Sequence, residues 1–351
     1  MVIRISRNSG YAGRLITSTI LMCAVAFSCK PVSQITIEIL EPAEVTIPSY
    51  IQAVSFANRS YIPWLAKDPS DTARRSVKDL FVIDTLISNK LFLGLIEALS
   101  ASPLFDLNNP PIYQLRRSDS VRFPDLLTVD QAGVICDTSQ TDCLISLEGY
   151  ELIDTVFYNY LFYSDDNYEV TYLLAGTVQW RIYDGIYGTV VDDFMINDSI
   201  SWIMTCDILK ECMDELPEAA DAYREYSYQL GFKFGQRLTP EWYTARRFFY
   251  RTGNREMIKA AKMVDEGNWN EAVNLWKSIS ESEKDIIAAR ASFNIALHYE
   301  MEDRLIPAID WATKSYDRYK EDYTKQYLEI LEQRKLNKLK LQQQLPLEEI
   351  H

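Results

Sequence analysis

The chain has 351 residues with 36 basic and 50 acidic side chains, and its formal net charge at pH 7 is −14. So acidic a chain is a poor nucleic-acid binder, because phosphate contacts need clustered lysine and arginine. A hydrophobic content of 47% excludes an intrinsically disordered protein, and the length predicts two domains.

The first predicted element is an export signal. Arg4, Arg7 and Arg14 precede an apolar run that ends at Cys29, which is the layout of a signal peptide. The run is shorter than the roughly 20 residues that a transmembrane helix needs. It resembles a bacterial lipoprotein signal, which implies cleavage after residue 28 and acylation of Cys29. An ordinary signal peptide that releases a soluble protein is the alternative.

Residues 29–215 predict a mixed α/β domain. Apolar and polar residues alternate over Ile35–Leu40, as in a half-buried strand. Leucines and isoleucines at three- and four-residue steps predict a helix over 72–101. The remaining predicted elements are a short helix at 128–142 and strands at 51–57, 112–117, 143–157, 168–184 and 189–202. This alternation of strand and helix is typical of a mixed sheet.

Four cysteines lie within this domain: Cys136, Cys143, Cys206 and Cys212. An even number in an exported chain permits two disulfides between sequence neighbours. Neither pair has the CxxC spacing of a redox motif, and free buried thiols are the alternative for each pair. Because the only histidines are His298 and His351, we expect no metal site.

Residues 216–335 predict an all-α, tetratricopeptide-like helical-repeat domain, followed by a polar tail at 336–351. Two segments, 242–279 and 288–319, each predict a helix, a turn and a second helix. The small residues Ala272 and Ala308 are 36 positions apart (308 − 272), near the roughly 34 residues of a tetratricopeptide repeat. A generic helical hairpin is the alternative.

The whole mature chain resembles a family of uncharacterised exported lipoproteins. They join an N-terminal domain like that of the curli-assembly secretion lipoprotein to tetratricopeptide-like helices. The segments that carry the likeness include CLISLEGYEL, VQWRIYDGIYG, LGFKFGQRLTPEW and EGNWNEAVNLW. None is a catalytic motif, and the family has no assigned activity. A likeness at the level of fold does not transfer the pore-forming activity of the curli-type protein.

No enzyme chemistry is predicted, because the chain has no P-loop, GxGxxG, GxSxG or HExxH motif. We therefore expect no cofactor. The better candidate is a protein-binding surface on the helical region, since helical repeats line grooves that accept peptides. Its candidate residues are Arg246, Arg247, Arg251, Trp269, Trp276 and Tyr299. The alternative is that the arginines pair with acids on solvated helix faces.

These patterns predict a non-enzymatic scaffold that binds a protein partner during envelope assembly or secretion. Its only membrane contact is the acyl anchor, and the lack of acidic residues directly after Cys29 favours the periplasmic face of the outer membrane. A hydrolase of envelope glycans, with carboxylates in a cleft between the domains, is the second hypothesis. A ring or pore is the third, disfavoured by the acids in the second arm of the hairpin formed by 168–202.

Overall fold

The computed structural model describes residues 2–5, 31–62, 77–102, 104–107, 110–118, 121, 123–162 and 167–345. Cys29 and residues 6–28 of the predicted signal lie outside the described residues. Two compact units are present, one with Met1–Gly13 and Ala43–Pro240, the other with Arg14–Pro42 and Glu241–His351. None of the described helices is both long and apolar enough to cross a membrane.

The strands and helices are numbered in chain order. The strands are β1 (Val2–Ile5), β2 (Val32–Glu41), β3 (Val54–Asn58), β4 (Ile112–Gln114), β5 (Cys143–Tyr160), β6 (Tyr168–Asp184), β7 (Val190–Cys206) and β8 (Glu241–Tyr250). The helices are α1 (Val77–Ser100), α2 (Val129–Ser139), α3 (Leu209–Glu215), α4 (Ala219–Gln236), α5 (Arg255–Asp265), α6 (Trp269–Ile279), α7 (Asp285–Met301), α8 (Leu305–Arg318) and α9 (Asp322–Gln344).

The first unit contains a mixed sheet with the strand order β1-β7-β6-β5-β3-β4. Strands β5, β6 and β7 form an antiparallel meander, β3 lies parallel to both β5 and β4, and β1 lies parallel to β7. The core packs α1 and α4 against this sheet around the fully buried Trp180. The prediction of a mixed α/β region followed by helices is therefore confirmed.

Helix α4 pairs with α1 in the first unit, which corrects the boundary expected at residue 216. Two glycines let the helix backbones meet. A Cβ at Gly231 would lie 1.9 Å from the Leu91 carbonyl oxygen, and one at Gly94 would lie 2.0 Å from that of Tyr228. No other residue lacks that atom. The helical pattern of α4 was evident from sequence, but its partner depends on this close approach.

The second unit is not all-α, because β2 and β8 form an antiparallel two-stranded ribbon within it. Residues 241–250 were expected to be helical. Instead they form a strand. Its buried residues Ala245, Arg247 and Phe249 alternate with exposed Thr244 and Arg246 and half-buried Phe248. Aromatic residues suit a half-buried pleated surface, and pairing over the full length of β2 decides the conformation.

The described helices of the second unit are two hairpins, α5–α6 and α7–α8, followed by the long helix α9. Ala272 and Ala308, the small residues of the predicted repeat, are fully buried. Gly267 ends α5 with a φ of +81°, a left-handed conformation that favours glycine. Helix α9 extends to Gln344, beyond the polar tail expected from residue 336, because Leu341 on its inner face is buried.

The four cysteines divide between the two alternatives. Cys206 and Cys212 form a disulfide that ties the end of β7 to α3. Cys136 and Cys143 are buried free thiols, so the second possible disulfide is absent. Burial raises the pKa of Cys136 to about 11, so this thiol stays protonated near neutral pH.

Candidate functional site

A groove of about 560 Å³ lies within the second unit. Its size falls in the range of ligand sites, roughly 300–1,000 Å³. One wall is strand β2, and the opposite wall is helix α9 with the turn that ends α7. The lining residues are Thr36, Ile37, Glu38, Ile39, Leu40, Trp242, Glu300, Met301, Asp303, Arg334, Asn337, Lys338, Leu341 and Leu345.

The floor of the groove is a buried ion cluster centred on Glu300, whose side chain is fully buried. Arg247 donates to both carboxylate oxygens, with its Nη2 2.9 Å from Oε1. Arg334 Nη1 donates to Oε1 at 2.9 Å, and the Tyr327 hydroxyl donates to Oε2 at 2.7 Å. Paired arginines offset the cost of burying this carboxylate.

Arg247 and Tyr327 both have a raised pKa in this cluster. Burial alone lowers the pKa of Arg247, but the hydrogen bonds and charge of Glu300 outweigh this and raise it above its ordinary value. Burial, followed by the charge of Glu300, raises the pKa of Tyr327 well above its ordinary value. Both oxygens of Glu300 accept charge-assisted hydrogen bonds, so this carboxylate is the counter-ion of the two arginines.

Helix α9 contributes one continuous face to the groove. Arg334, Lys338 and Leu341 follow each other at four- and three-residue steps, which places them on the same side of the helix. Arg334 Nη2 donates to Asp303 Oδ1 at 3.1 Å, and Lys338 donates to the Asp303 carbonyl at 3.0 Å and to its carboxylate. The two cations of this face are therefore neutralised by Glu300 and Asp303.

The opposite wall is an edge of the ribbon. Five consecutive residues of β2, Thr36 to Leu40, line the groove, whereas β8 contributes only Trp242. Successive side chains of a strand point to opposite faces, so a cavity lined by an unbroken run lies along the strand's edge. Trp242 is 65% exposed and is the largest side chain available for contact.

The hydrogen-bond parity of the ribbon identifies which backbone groups reach that edge. In an antiparallel pair, residues alternate between those whose backbone groups bond the partner strand and those whose backbone groups point away from it. Arg251 N donates to Pro31 O at 3.0 Å, so the backbone groups of odd-numbered β2 residues bond β8 and those of even-numbered residues point away. The outer edge of β8 agrees, because the side-chain amide of Asn294 bonds both backbone groups of Tyr250. No described residue bonds the backbone of Thr36 or Glu38.

The predicted binding residues do not form one surface. Trp276 is fully buried, and Arg247 is held in the ion cluster behind the groove. Arg251 pairs with Asp265, its Nη1 2.7 Å from Oδ1. This agrees with the alternative prediction, in which the arginines pair with nearby acids. Trp269 is half-buried and stacks on His298. Tyr299 is also half-buried, and Arg246 alone is exposed.

Sequence reasoning missed the residues that build the groove. Trp242 was assigned to a helix, and Arg334, Lys338 and Leu341 fell at the end of the helical region or in the expected polar tail. The three- and four-residue spacing of the last three was an available signal for a helix face. Nothing local in the sequence indicates that this face lies opposite β2. Among the described residues, no cluster of three or more His, Cys, Asp or Glu side chains could hold a metal ion.

A family model described as Domain of unknown function (DUF8603) matches residues 57–250, more than half of the chain. The chain belongs to the DUF8603 family. A second model, Domain of unknown function (DUF6340), matches residues 258–333 of this DUF8603 protein. These two matches support an uncharacterised family. No curated protein matches the chain.

Among solved structures, the DUF8603 chain matches one described as a "putative neuraminyllactose-binding hemagglutinin homolog" from Helicobacter pylori. The identity is 11%, the TM-score is 0.29, and the match covers 65% of this chain and 93% of that one. A TM-score of this size does not establish a shared fold.

Proposed function

We propose that this DUF8603 protein is a non-enzymatic scaffold of the cell envelope that binds a partner protein through the groove of its second unit. The observation that carries the proposal is the composition of that groove. An exposed tryptophan and a strand edge with no described partner line the groove, while the charged groups below are bonded to one another. Such a site offers contact area and backbone hydrogen bonds.

A catalytic role would need a placed base, acid or nucleophile. Glu300 is occupied by Arg247, Arg334 and Tyr327, and Asp303 by Arg334 and Lys338. Large, exposed aromatic side chains are, by contrast, the usual anchors of protein interfaces. Trp242 therefore fits the role of an anchor, and the cluster beneath it fits the role of a rigid floor.

The anchoring part of the proposal rests on the sequence pattern before Cys29. Acylation there would hold the protein on the outer membrane, at the periplasmic face, and each buried methylene would add about 0.8 kcal/mol. Cleavage after residue 28 would remove β1, so β7 would become an edge strand of the first unit. Metabolic labelling with a palmitate analogue tests this. We expect label on the wild type and none on Cys29→Ala.

The binding part is tested by crosslinking and capture from intact envelopes. Trp242→Ala should lose the captured partner, because it removes the anchor and leaves the ion cluster intact. Ile306→Ala is the matched control, since Ile306 lies in the same unit and is 67% exposed against 65% for Trp242. Equal capture by the wild type and both variants would refute the groove as the binding site.

A further inference from the structure

The unpaired edge of β2 indicates how a partner binds, if the proposed function holds. We propose that the partner contributes an extended peptide that joins the ribbon as a third strand, antiparallel or parallel to β2. The backbone N–H and C=O groups of Thr36 and Glu38 point away from β8, both residues line the groove, and these groups have no described partner. An unpaired strand edge is a template for strand addition.

The other edge of the ribbon supports this interpretation by contrast. There the side chain of Asn294 donates to Tyr250 O at 2.8 Å and accepts from Tyr250 N at 2.7 Å. One amide thus takes the place of a neighbouring strand. No described side chain covers the β2 edge in this way, although the strand is ten residues long. At Tyr250 the outer edge of β8 is bonded, whereas no described residue bonds the outward backbone groups of β2.

The β2 wall of the groove is long enough for a short added strand. Five residues of β2, from Thr36 to Leu40, line the groove and span about 13 Å at roughly 3.3 Å per residue. An extended peptide of about five residues has the same length.

Charge defines the chemical class of the peptide. The groove's cations, Arg334 and Lys338, are neutralised by Glu300 and Asp303. Glu38 is different, because its carboxylate accepts only from Thr244 Oγ1, at 2.9 Å, and no described cation pairs with it. A residue opposite Glu38 on an added strand would lie about 5 Å away. Lysine or arginine is favoured there.

Apolar contacts define the positions on either side. Leu40 pairs across the ribbon with Trp242, on the same face as Glu38, and Ile37 and Ile39 occupy the other face. A matching peptide therefore carries basic residues on the face of Glu38 and apolar residues on the face of Ile37 and Ile39. Alternating valine and lysine is the simplest sequence of this class.

The test uses fluorescence titration of the full chain with a synthetic peptide that alternates valine and lysine. Thr36→Pro removes a groove-facing N–H without touching the bonds to β8, because proline is tolerated at such an edge position. Arg246→Pro is the matched control on the same rung, with its N–H at the outer edge of β8. Circular dichroism and thermal melts confirm that both variants fold.

We expect Thr36→Pro to weaken peptide binding by about tenfold, the loss of one hydrogen bond, and Arg246→Pro to leave it unchanged. A peptide N-methylated along one edge, and one with glutamate in place of lysine, should bind at least about tenfold more weakly. Equal affinity of the methylated and unmethylated peptides would overturn strand addition. If Trp242→Ala still abolished capture from envelopes, the proposed function would stand without it.

Discussion

Each unit of the molecule contains a fully buried glutamate bound by two arginines and a tyrosine, and the two clusters differ in what their arginines reach. Glu148 in the first unit is bound by Arg59, Arg181 and Tyr183, and Glu300 in the second by Arg247, Arg334 and Tyr327. The same chemistry therefore occurs twice, on a sheet and between a ribbon and helices.

The Glu148 cluster fastens a loop. Arg181 Nη1 donates to Pro124 O at 2.7 Å, Arg59 Nη2 to Asp125 O at 3.1 Å, and Leu127 N donates to the Tyr183 hydroxyl at 3.3 Å. These three bonds end on or start from loop backbone, and Arg181 Nε also donates to Asp193 Oδ2 at 2.9 Å. The Glu300 cluster instead directs Arg334 to a side chain, Asp303, that lines a groove.

The contrast teaches that a buried ion cluster does not by itself identify a functional site. Desolvation offsets much of the Coulomb gain in either case. The two clusters differ in what some of their outer bonds hold: three bonds of the first hold the backbone of residues 124–127, whereas Arg334 of the second reaches Asp303 on the wall of a groove. Variants that attack the two clusters in parallel test this distinction.

The largest effect is expected from removing the central carboxylates. Glu148→Ala and Glu300→Ala each remove the buried carboxylate that two arginines share, and Arg59 and Arg247 respectively lose their described counter-ion. The loss costs about 3–5 kcal/mol in the free energy of unfolding. Urea denaturation measures the loss, with the exposed Glu271→Ala as control. A loss under about 1 kcal/mol in either variant would contradict the assignment of these residues as structural charges.

The next largest effect is expected from removing the disulfide, which lies in the first unit only. Replacing both Cys206 and Cys212 by serine opens a short loop of the first unit and should lower its stability by about 2 kcal/mol. The melting transition of the second unit should not move. A reducing agent should destabilise the wild type by the same amount and leave the double variant unchanged.

Losses of the same size or smaller are expected from the two tyrosine hydroxyls. Tyr183→Phe removes a group that donates to Glu148 at 3.1 Å and accepts from Arg59 and Leu127. Tyr327→Phe removes a single bond to Glu300. We expect about 2 and about 1 kcal/mol, respectively, from net hydrogen-bond energies. The reverse order, measured by urea denaturation, would mean that the backbone contacts of the first cluster add nothing.

The smallest effect is a pH dependence confined to the second unit. Burial lowers the pKa of His298, as do Lys277 and Arg304, against the opposing charge of Glu302. Its folded pKa thus lies below the unfolded value of about 6.5. Stability is full above that pH and is lost as the pH falls through the folded pKa, because protons bind the unfolded state better.

Thermal melts between about pH 7 and pH 5 measure this dependence. His298→Gln should flatten the decline of the second unit. The first unit contains no histidine, since the only two are His298 and His351, so its melting temperature provides the internal control. A decline of equal size in the variant would assign the dependence to carboxylates instead.

The local spacing of apolar residues in the sequence predicts many of the helices and strands of this protein. The meander strands β5 and β6, helix α1, the buried Ala272 and Ala308, and the order of a mixed sheet followed by helices all follow from patterns spanning a few residues. Such patterns state which face of an element is apolar. Arg247 was identified as a candidate from its type alone, but its role as a buried counter-ion was not.

The tertiary structure decided the rest, because the decisive contacts join distant segments. Strand β8 exists through pairing with β2, and Thr244 and Glu38 are 206 positions apart. The packing of α4 against α1 depends on Gly94 and Gly231. Whether a cysteine pair forms a disulfide or stays as free thiols depends on the distance between the two side chains, which the sequence does not contain. The groove itself arises only when α9 lies opposite an unpaired strand edge.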